Sequence, residues 1–348
     1  MVKNEEENLA RSLASLPGRL EDLVVVDTGS TDGTREVARR RGARLFDAPW
    51  TGDFSAPRNA AIELAKGDWI LFLDADESFE PGLRDFSGIL REIEEKGGDA
   101  LLFRLRNIES LARPLDASVA WSVRAFRRSD NLRYIGAVHE QITRLDGGTL
   151  DVHYADPRYT LLHTGYAGSL GEAKARRNLG ILLADIARRG PRPSDDVYLT
   201  DCYYGVQDYE RAMHCAEKVV KKDSLVVYGG KGHIYHTIIE CMRHLHRPDA
   251  DMLPWADAAI RAYPDLPEFY AERGMVLCGM GRLPEARASL LDALIHYESH
   301  TAKPEHESYF QPRIAAQIAR RLAEIAALYH DEREAAYFRS KAAQYEKV

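Results

Sequence analysis

The chain has 348 residues, 45% of them apolar and 29% charged, with a net charge of −7, the profile of an ordinary soluble protein of about two domains. That charge argues against nucleic-acid binding through backbone electrostatics. No apolar run approaches the ~20 residues of a membrane span, and the acidic start Met1-Val2-Lys3-Asn4-Glu5-Glu6-Glu7 lacks the apolar core of a signal peptide. The cysteines Cys202, Cys215, Cys241 and Cys278 are widely spaced with no C-x-x-C, which disfavours a structural zinc and points to reduced thiols in the cytoplasm.

In chain order, residues 4–16 read as a helix, with Leu9, Leu13 and Leu16 at helical spacing, acids in the first turn and Pro17-Gly18 as its stop. Leu23 to Val26 is an apolar β run closed by Asp27, and the polar stretch Thr28 to Thr34 leads into a helix ending near Gly42. A short strand (Ala43 to Phe46), a helix (Ser55 to Ala65) and a strand (Trp69 to Leu73) follow. This alternation predicts an α/β fold, a mostly parallel sheet with helices on both faces. Such a sheet wants a strand before the first helix, where only Met1 to Lys3 stand; either that strand is a stub or the natural start lies upstream, and the second is the expectation. Pro81-Gly82 is expected to open a helix to about Glu95. Ala100 to Arg106 reads as a strand, and Val119 to Phe126 and Gln141 to Leu162 look β-like.

After Tyr166 the β runs stop. Gly171 to Arg188 reads as one helix with Leu179, Leu182, Leu183 and Ile186 on a face, and Pro191 to Ser194 as a linker. Tyr270, Gly274, Leu277, Gly281, Ala286, Leu290 and Ala293 resemble the small and large positions of a tetratricopeptide unit of ~34 residues, generic helical packing being the competing reading. Ala212, Ala216 and Val219 fit the second helix of an earlier, degenerate unit, with an irregular unit between. Domains of residues 1–166 and 167–348 are therefore expected.

Candidate chemistry gathers in the first half. Asp74-Ala75-Asp76 follows an apolar strand, where open α/β sheets bind ligands. Paired acids there can hold a hard divalent cation against a phosphate-bearing ligand; a solvated turn is the plain alternative. Asp27 can accept hydrogen bonds from a base or ribose, while capping by Ser30 or Asp32 explains its segment equally. Arg58 sits near the start of a helix that Ser55 is expected to cap, either to meet an anion or to pair with a local acid. In Gly136-Ala137-Val138-His139-Glu140, Glu140 is a candidate general base and His139 a ligand or positioner, a structural pair being the alternative. His163, before Thr164-Gly165-Tyr166, either completes a metal site begun by Asp76 or is a satisfied buried histidine.

Taken together, Val2-Lys3-Asn4-Glu5-Glu6, Val24 to Thr34, Phe54 to Ala61 and Gly67 to Glu77 resemble, in order and spacing, a family 2 glycosyltransferase with a GT-A fold. The later Gly136 to Glu140 and His163 to Tyr166 blocks, followed by repeat-like helices, resemble a bacterial subgroup with a tetratricopeptide-type tail that includes peptide S- and O-glycosyltransferases. The resemblance implies a GT-A nucleotide-sugar domain followed by an all-α helical domain. It implies donor contacts by Asp27, Arg58, Asp74 and Asn4; where many members carry a second acid after Asp27, this chain has Thr28. It further implies Mn²⁺ or Mg²⁺ on Asp76, with His163 as a second metal ligand or a diphosphate contact, and an inverting transfer with Glu140 as base. The donor would be a nucleoside-diphosphate sugar, a UDP-sugar above others, and the acceptor a hydroxyl or thiol of a peptide, protein or glycan. A homodimer through the helical domain is also expected. A nucleotide-binding scaffold without turnover and a nucleotidyltransferase are the alternatives.

Overall fold

The structure, a computed structural model, describes residues 1–16, 21–83, 86–108, 118–164, 171–222, 230–299, 306 and 308–347. The expected Pro17-Gly18 helix stop, the Gly165-Tyr166 end of the last block and the expected domain boundary at 166/167 lie outside the described residues. Contacts divide the chain into one unit of Met1–Ser110, Ala120–Ser169 and Arg177–Pro191, and another of Leu111–Val119, Leu170–Arg176 and Arg192–Val348.

The first unit begins with helix α1 (Glu6–Ser15). Its Leu9 and Leu13 pack with Val25 of strand β1 (Val24–Asp27) and with Val37 and Ala38 of helix α2 (Thr34–Arg40). Strand β2 (Arg44–Asp47) runs parallel to β1. Val2 forms a single parallel bridge with β1: its N–H donates to the Val26 carbonyl at 2.8 Å and its carbonyl accepts from Thr28 N–H at 2.9 Å. Beside that bridge lies an apolar cavity of about 550 Å³, lined in part by Val24, Val25, Ile70, Leu71 and Phe72.

Next in the chain come helix α3 (Ser55–Leu64), strands β3 (Trp69–Leu71) and β4 (Glu77–Phe79), and helix α4 (Ser87–Lys96). Strands β5 (Ala100–Asn107), β6 (Ser118–Arg127), β7 (Leu132–Ile135), β8 (Gln141–Arg144), β9 (Val152–Tyr154) and β10 (Leu161–His163) complete the unit's β structure. The larger sheet has the order β3-β6-β5-β10-β4, with β9 also on β5, and β7-β8 is a separate hairpin. The sheet is mixed where a mostly parallel one is expected: β5 is parallel to β9 and β10, while β3–β6 and β4–β10 are antiparallel. Alternation along β5 explains its place at the centre. Leu101, Phe103 and Leu105 pack with Ile89, Ile93 and Leu161 on one face, and Ala100 joins Ile62, Phe126 and Tyr134 on the other.

Several boundaries move for physical reasons. Strand β3 stops at Leu71, short of Leu73, because the chain turns: Glu77 N–H donates to the Asp74 carbonyl at 3.0 Å. Strand β4 is absent from the hydropathy pattern because Glu77 and Ser78 are polar yet buried. Pro81-Gly82 form a turn, with Gly82 at φ +115°, and the helix expected there starts only at Ser87.

Helix α5 (Gly171–Arg189) buries Leu182, while its predicted face-mate Leu183 is exposed. The second unit then repeats one motif, a pair of helices: α6 (Asp195–Gly205) with α7 (Tyr209–Val220), α8 (Gly232–His244) with α9 (Asp249–Ala262), α10 (Pro267–Gly279) with α11 (Leu283–Glu298), and α12 (Pro312–Leu328) with α13 (Glu332–Tyr345). The predicted repeat residues Leu277, Ala286, Leu290 and Ala293 are fully buried between their helices, as are Ala212, Ala216 and Val219 of α7. The irregular intervening unit is the α8–α9 pair. Each pair turns through one residue in the left-handed region: Gln207 (φ +63°), His246 (+52°), Gly281 (+71°) and His330 (+59°). Three of these four positions carry a side chain that disfavours that region.

Two outcomes follow from this packing. A Cβ at Gly274 would lie 2.5 Å from Leu290 Cδ2 and 3.2 Å from its backbone nitrogen. Gly274→Ala is therefore expected to destabilise the helical unit by about 1–3 kcal/mol in chemical denaturation. His330→Gly should do the reverse, raising stability by about 0.5 kcal/mol as left-handed strain is relieved against the added chain entropy of glycine.

Candidate active site

Asp27 ends β1 and is buried. Both its oxygens accept from Ser30 N–H at 3.2 Å, and Oδ2 accepts from Arg35 Nη1 at 2.7 Å. Burial opposes its ionisation, but the Ser30 and Arg35 hydrogen bonds outweigh that and hold its pKa below the ordinary value. Asn4 (φ +55°) braces the loop that follows β1: its Oδ1 accepts from Thr31 N–H at 2.7 Å and its N–H donates to Ser30 Oγ at 3.0 Å. The cap of α2 is Asp32, which accepts from Thr34 N–H at 3.0 Å.

The α3 terminus is built differently from the expectation. Asp53, not Ser55, caps it, with Oδ1 accepting from Ser55 N–H at 2.8 Å and from Ser55 Oγ at 2.6 Å. Arg58, in the first turn, is only 7% exposed and lies over the rings of Phe72 (4.6 Å) and Tyr134 (5.2 Å). The β7–β8 hairpin brings Glu140 to it. Asn59 holds β7 by exchanging hydrogen bonds with the Tyr134 backbone (2.8 and 2.9 Å), and Phe54 N–H donates to the Ala137 carbonyl at 2.8 Å. Gly136 (φ +115°) and His139 (φ +53°) supply the left-handed turns of the connecting loop. Arg58 Nε then donates to Glu140, and its Nη2 donates to Asp74 Oδ1 at 2.7 Å. Both readings of Arg58 thus bear on the structure: it pairs with local acids, yet its buried Nη1 has no hydrogen-bond partner among the described residues.

A second arginine, outside every predicted motif, completes this cluster. Arg124 of β6 donates from Nε to Glu77 Oε2 at 2.8 Å, from Nη2 to Glu77 Oε1, and from Nη2 to Asp74 Oδ2 at 3.3 Å. Burial resists ionisation of Asp74, but the charges of Arg58 and Arg124 prevail and hold it well below the usual carboxylate range. Burial also pushes the neighbouring Tyr134 hydroxyl up to about 12. The signal for Arg124 is present in the chain, since a cation inside the apolar run Val119 to Phe126 needs a buried counter-charge. What the chain does not reveal is which acid supplies it.

Asp76 and His163 meet. Antiparallel pairing sets Glu77 of β4 opposite His163 of β10, and parallel pairing sets His163 beside Asn107 of β5. His163 Nε2 consequently lies 3.3 Å from Asp76 Oδ2, and its Nδ1 lies 2.8 Å from Asn107 Oδ1. Burial raises the Asp76 pKa, and the contact with His163 more than reverses this, leaving it below the ordinary value. Thr164 N–H donates to the Asp76 carbonyl at 3.2 Å, and Arg11 of α1 holds the Thr164 hydroxyl at 2.8 Å. The D-x-D is therefore a turn whose two carboxylates are half-buried and paired with neighbouring side chains. Among the described residues no group of three or more His, Cys, Asp or Glu is arranged to hold a metal by itself.

Residues 1–141 match the model of glycosyl transferase family 2. An uncharacterized glycosyltransferase of Mycobacterium bovis is 33% identical over 173 residues, which are 47% of this chain and 76% of that protein. A TPR repeat-containing protein of Synechococcus elongatus is 31% identical over 235 residues, 64% of this chain and 54% of that protein, so the chain spans about half the length of that relative. Among solved structures, a MamA double mutant overlaps 51% of this chain and 88% of its own at 16% identity and a TM-score of 0.40. The family match runs through the blocks that carry Asp27, Arg58, Asp74, Asp76 and Glu140, and the mycobacterial relative is matched over three quarters of its length: this chain belongs to glycosyl transferase family 2.

Proposed function

We propose that the protein is an inverting, metal-dependent glycosyltransferase. It takes a sugar from a nucleoside-diphosphate sugar, expected to be a UDP-sugar, and delivers it to a hydroxyl or thiol acceptor on a peptide, protein or glycan. The observation that carries the reading is the meeting of Asp76 and His163 within 3.3 Å beyond the end of β3, beside the buried Arg58 cluster.

The donor set suits the divalent cation of this reading. With its proton on Nδ1 toward the Asn107 oxygen, His163 would offer Nε2 to a cation beside the Asp76 carboxylate. A carboxylate accepts Mg²⁺ or Mn²⁺, and the imidazole favours Mn²⁺. Only two protein ligands are needed when substrate phosphates supply others. When bound, the cation would neutralise charge on the departing diphosphate.

The chain's own groups account for the rest. Asp27 accepts from the nucleoside, and Asn4 holds the loop beside it. Arg58 offers Nη1, which has no hydrogen-bond partner among the described residues, to the diphosphate, where negative charge builds as the glycosidic C–O bond breaks. The acceptor oxygen or sulfur forms its bond to the anomeric carbon from the opposite face, and its proton passes to Glu140, whose side chain is 10% exposed. Stacked helix pairs present extended surfaces, which supports a peptide or protein as acceptor.

A luminescent assay for released nucleoside diphosphate, with and without Mn²⁺, tests the reading. Release that needs Mn²⁺ and is abolished in Asp76→Ala is the expected outcome; pyrophosphate in its place would identify a nucleotidyltransferase. For Glu140→Gln, calorimetry should find donor binding near the parent value, while sugar transfer falls by roughly 10²–10⁴-fold. Full transfer by that variant would remove Glu140 as the base.

A further inference from the structure

We infer that Arg124 is a positioning residue for transfer: anchored by Glu77, it fixes Asp74, which in turn aims the Arg58 guanidinium at the donor diphosphate. The inference rests on the transferase reading above for what Arg58 acts upon, but the positioning chain is a matter of geometry.

Arg124 has no freedom of its own. It lies on β6, between β3 and β5 in the sheet. Its Nε and Nη2 grip both oxygens of Glu77, which is 1% exposed, and its Nη1 donates to Ser122 Oγ at 2.7 Å and to the Val123 carbonyl at 3.1 Å. All three guanidinium nitrogens are engaged, so the fork has one orientation. Glu77 is fixed by the same contacts and by accepting from Asp74 N–H at 3.2 Å.

Asp74 is therefore held on three sides: its backbone by Glu77, Oδ2 by Arg124 and Oδ1 by Arg58. Both carboxylate oxygens face guanidinium groups, which makes Asp74 an aligning group between two cations. Arg58 receives its orientation from Asp74 at Nη2 and from Glu140 at Nε, with its plane braced over Phe72. The nitrogen left over, Nη1, is buried and has no hydrogen-bond partner among the described residues. A buried donor in that state is costly unless a ligand satisfies it, and an anion is the ligand a guanidinium selects. The order of dependence runs from the buried Glu77 outward, so a change at Arg124 reaches the diphosphate without touching it.

The competing account is that Arg124 only neutralises Glu77. Glu77→Gln with Arg124→Met separates the two, because it removes both buried charges together and leaves a side-chain amide able to accept from Asp74 N–H. The double variant is expected to melt close to the parent, with the donor KM unchanged and kcat reduced roughly ten- to hundred-fold, the cost of a misaligned group. Arg124→Lys, which keeps the charge and loses the fork, should recover part of that loss. Parent-level kcat in the folded double variant would overturn the inference. Crystal structures of the parent and the double variant give a second readout that needs no turnover: Arg58 should move from Asp74, and an unchanged Arg58–Asp74 pair also overturns it. Should the double variant fail to fold, Arg124→Lys carries the same two comparisons. A parent protein that releases no nucleoside diphosphate from any sugar donor refutes the transferase reading, while the crystallographic comparison still decides the positioning chain.

Discussion

The candidate site depends on one constraint, that charge buried in the first unit must alternate in sign. Glu140, Arg58, Asp74, Arg124 and Glu77 form a continuous ladder of ion pairs through the interior. Each charge taken out of water is expensive, and each pays its desolvation only through neighbours of opposite sign. Removing any one member leaves its partners exposed to that cost. The ladder therefore ties together the first turn of α3, the turn after β3, the middle of β6 and the loop of the β7–β8 hairpin, elements whose apolar residues Ile62, Phe72, Phe126 and Tyr134 also share one core cluster. It also leaves Arg58 Nη1 without a hydrogen-bond acceptor among the described residues, a donor that an anion would satisfy.

Strand register does for Asp76 what the ladder does for Asp74. The pairing of β4 with β10, and of β10 with β5, sets Glu77, His163 and Asn107 in one row across the sheet. Side chains alternate along strands, so a shift of one residue in β10 would turn His163 away from Asp76 altogether. The turn that carries the D-x-D is short, closed by the Glu77 N–H bond to the Asp74 carbonyl. Its two acids consequently diverge: Asp74 points into the ladder and Asp76 toward the histidine.

The helical unit obeys simpler rules. Its helix pairs meet through small residues, and Gly274 shows how little room remains, since even one carbon would press on Leu290. Each pair reverses through a single left-handed residue, whether or not it is glycine. The contacts within a pair are local in sequence, as expected for a repeat architecture. That locality is why the repeat positions around Tyr270 to Ala293 are readable directly from their spacing, whereas β4, which pairs with the distant β10, is not.

The sequence by itself determined what depends on local pattern. The α/β character of the first half, the family resemblance, the candidate residues from Asp27 to His163 and the helix pairs of the second half all follow from periodicity and from the order of short blocks. Only the tertiary structure decided what depends on long-range pairing: the mixed sheet, the capping of α3 by Asp53, the polar strand β4 and the partners of each acid. Arg124 illustrates the division. Its place in an apolar run marks it as a buried cation, but Glu77 lies 47 residues away in the chain and Asp74 lies 50. No periodicity joins residues so far apart; the antiparallel pairing of β3 with β6 does. The physical reason is that a buried charge selects its partner by proximity in the folded interior, and proximity is a property of the sheet.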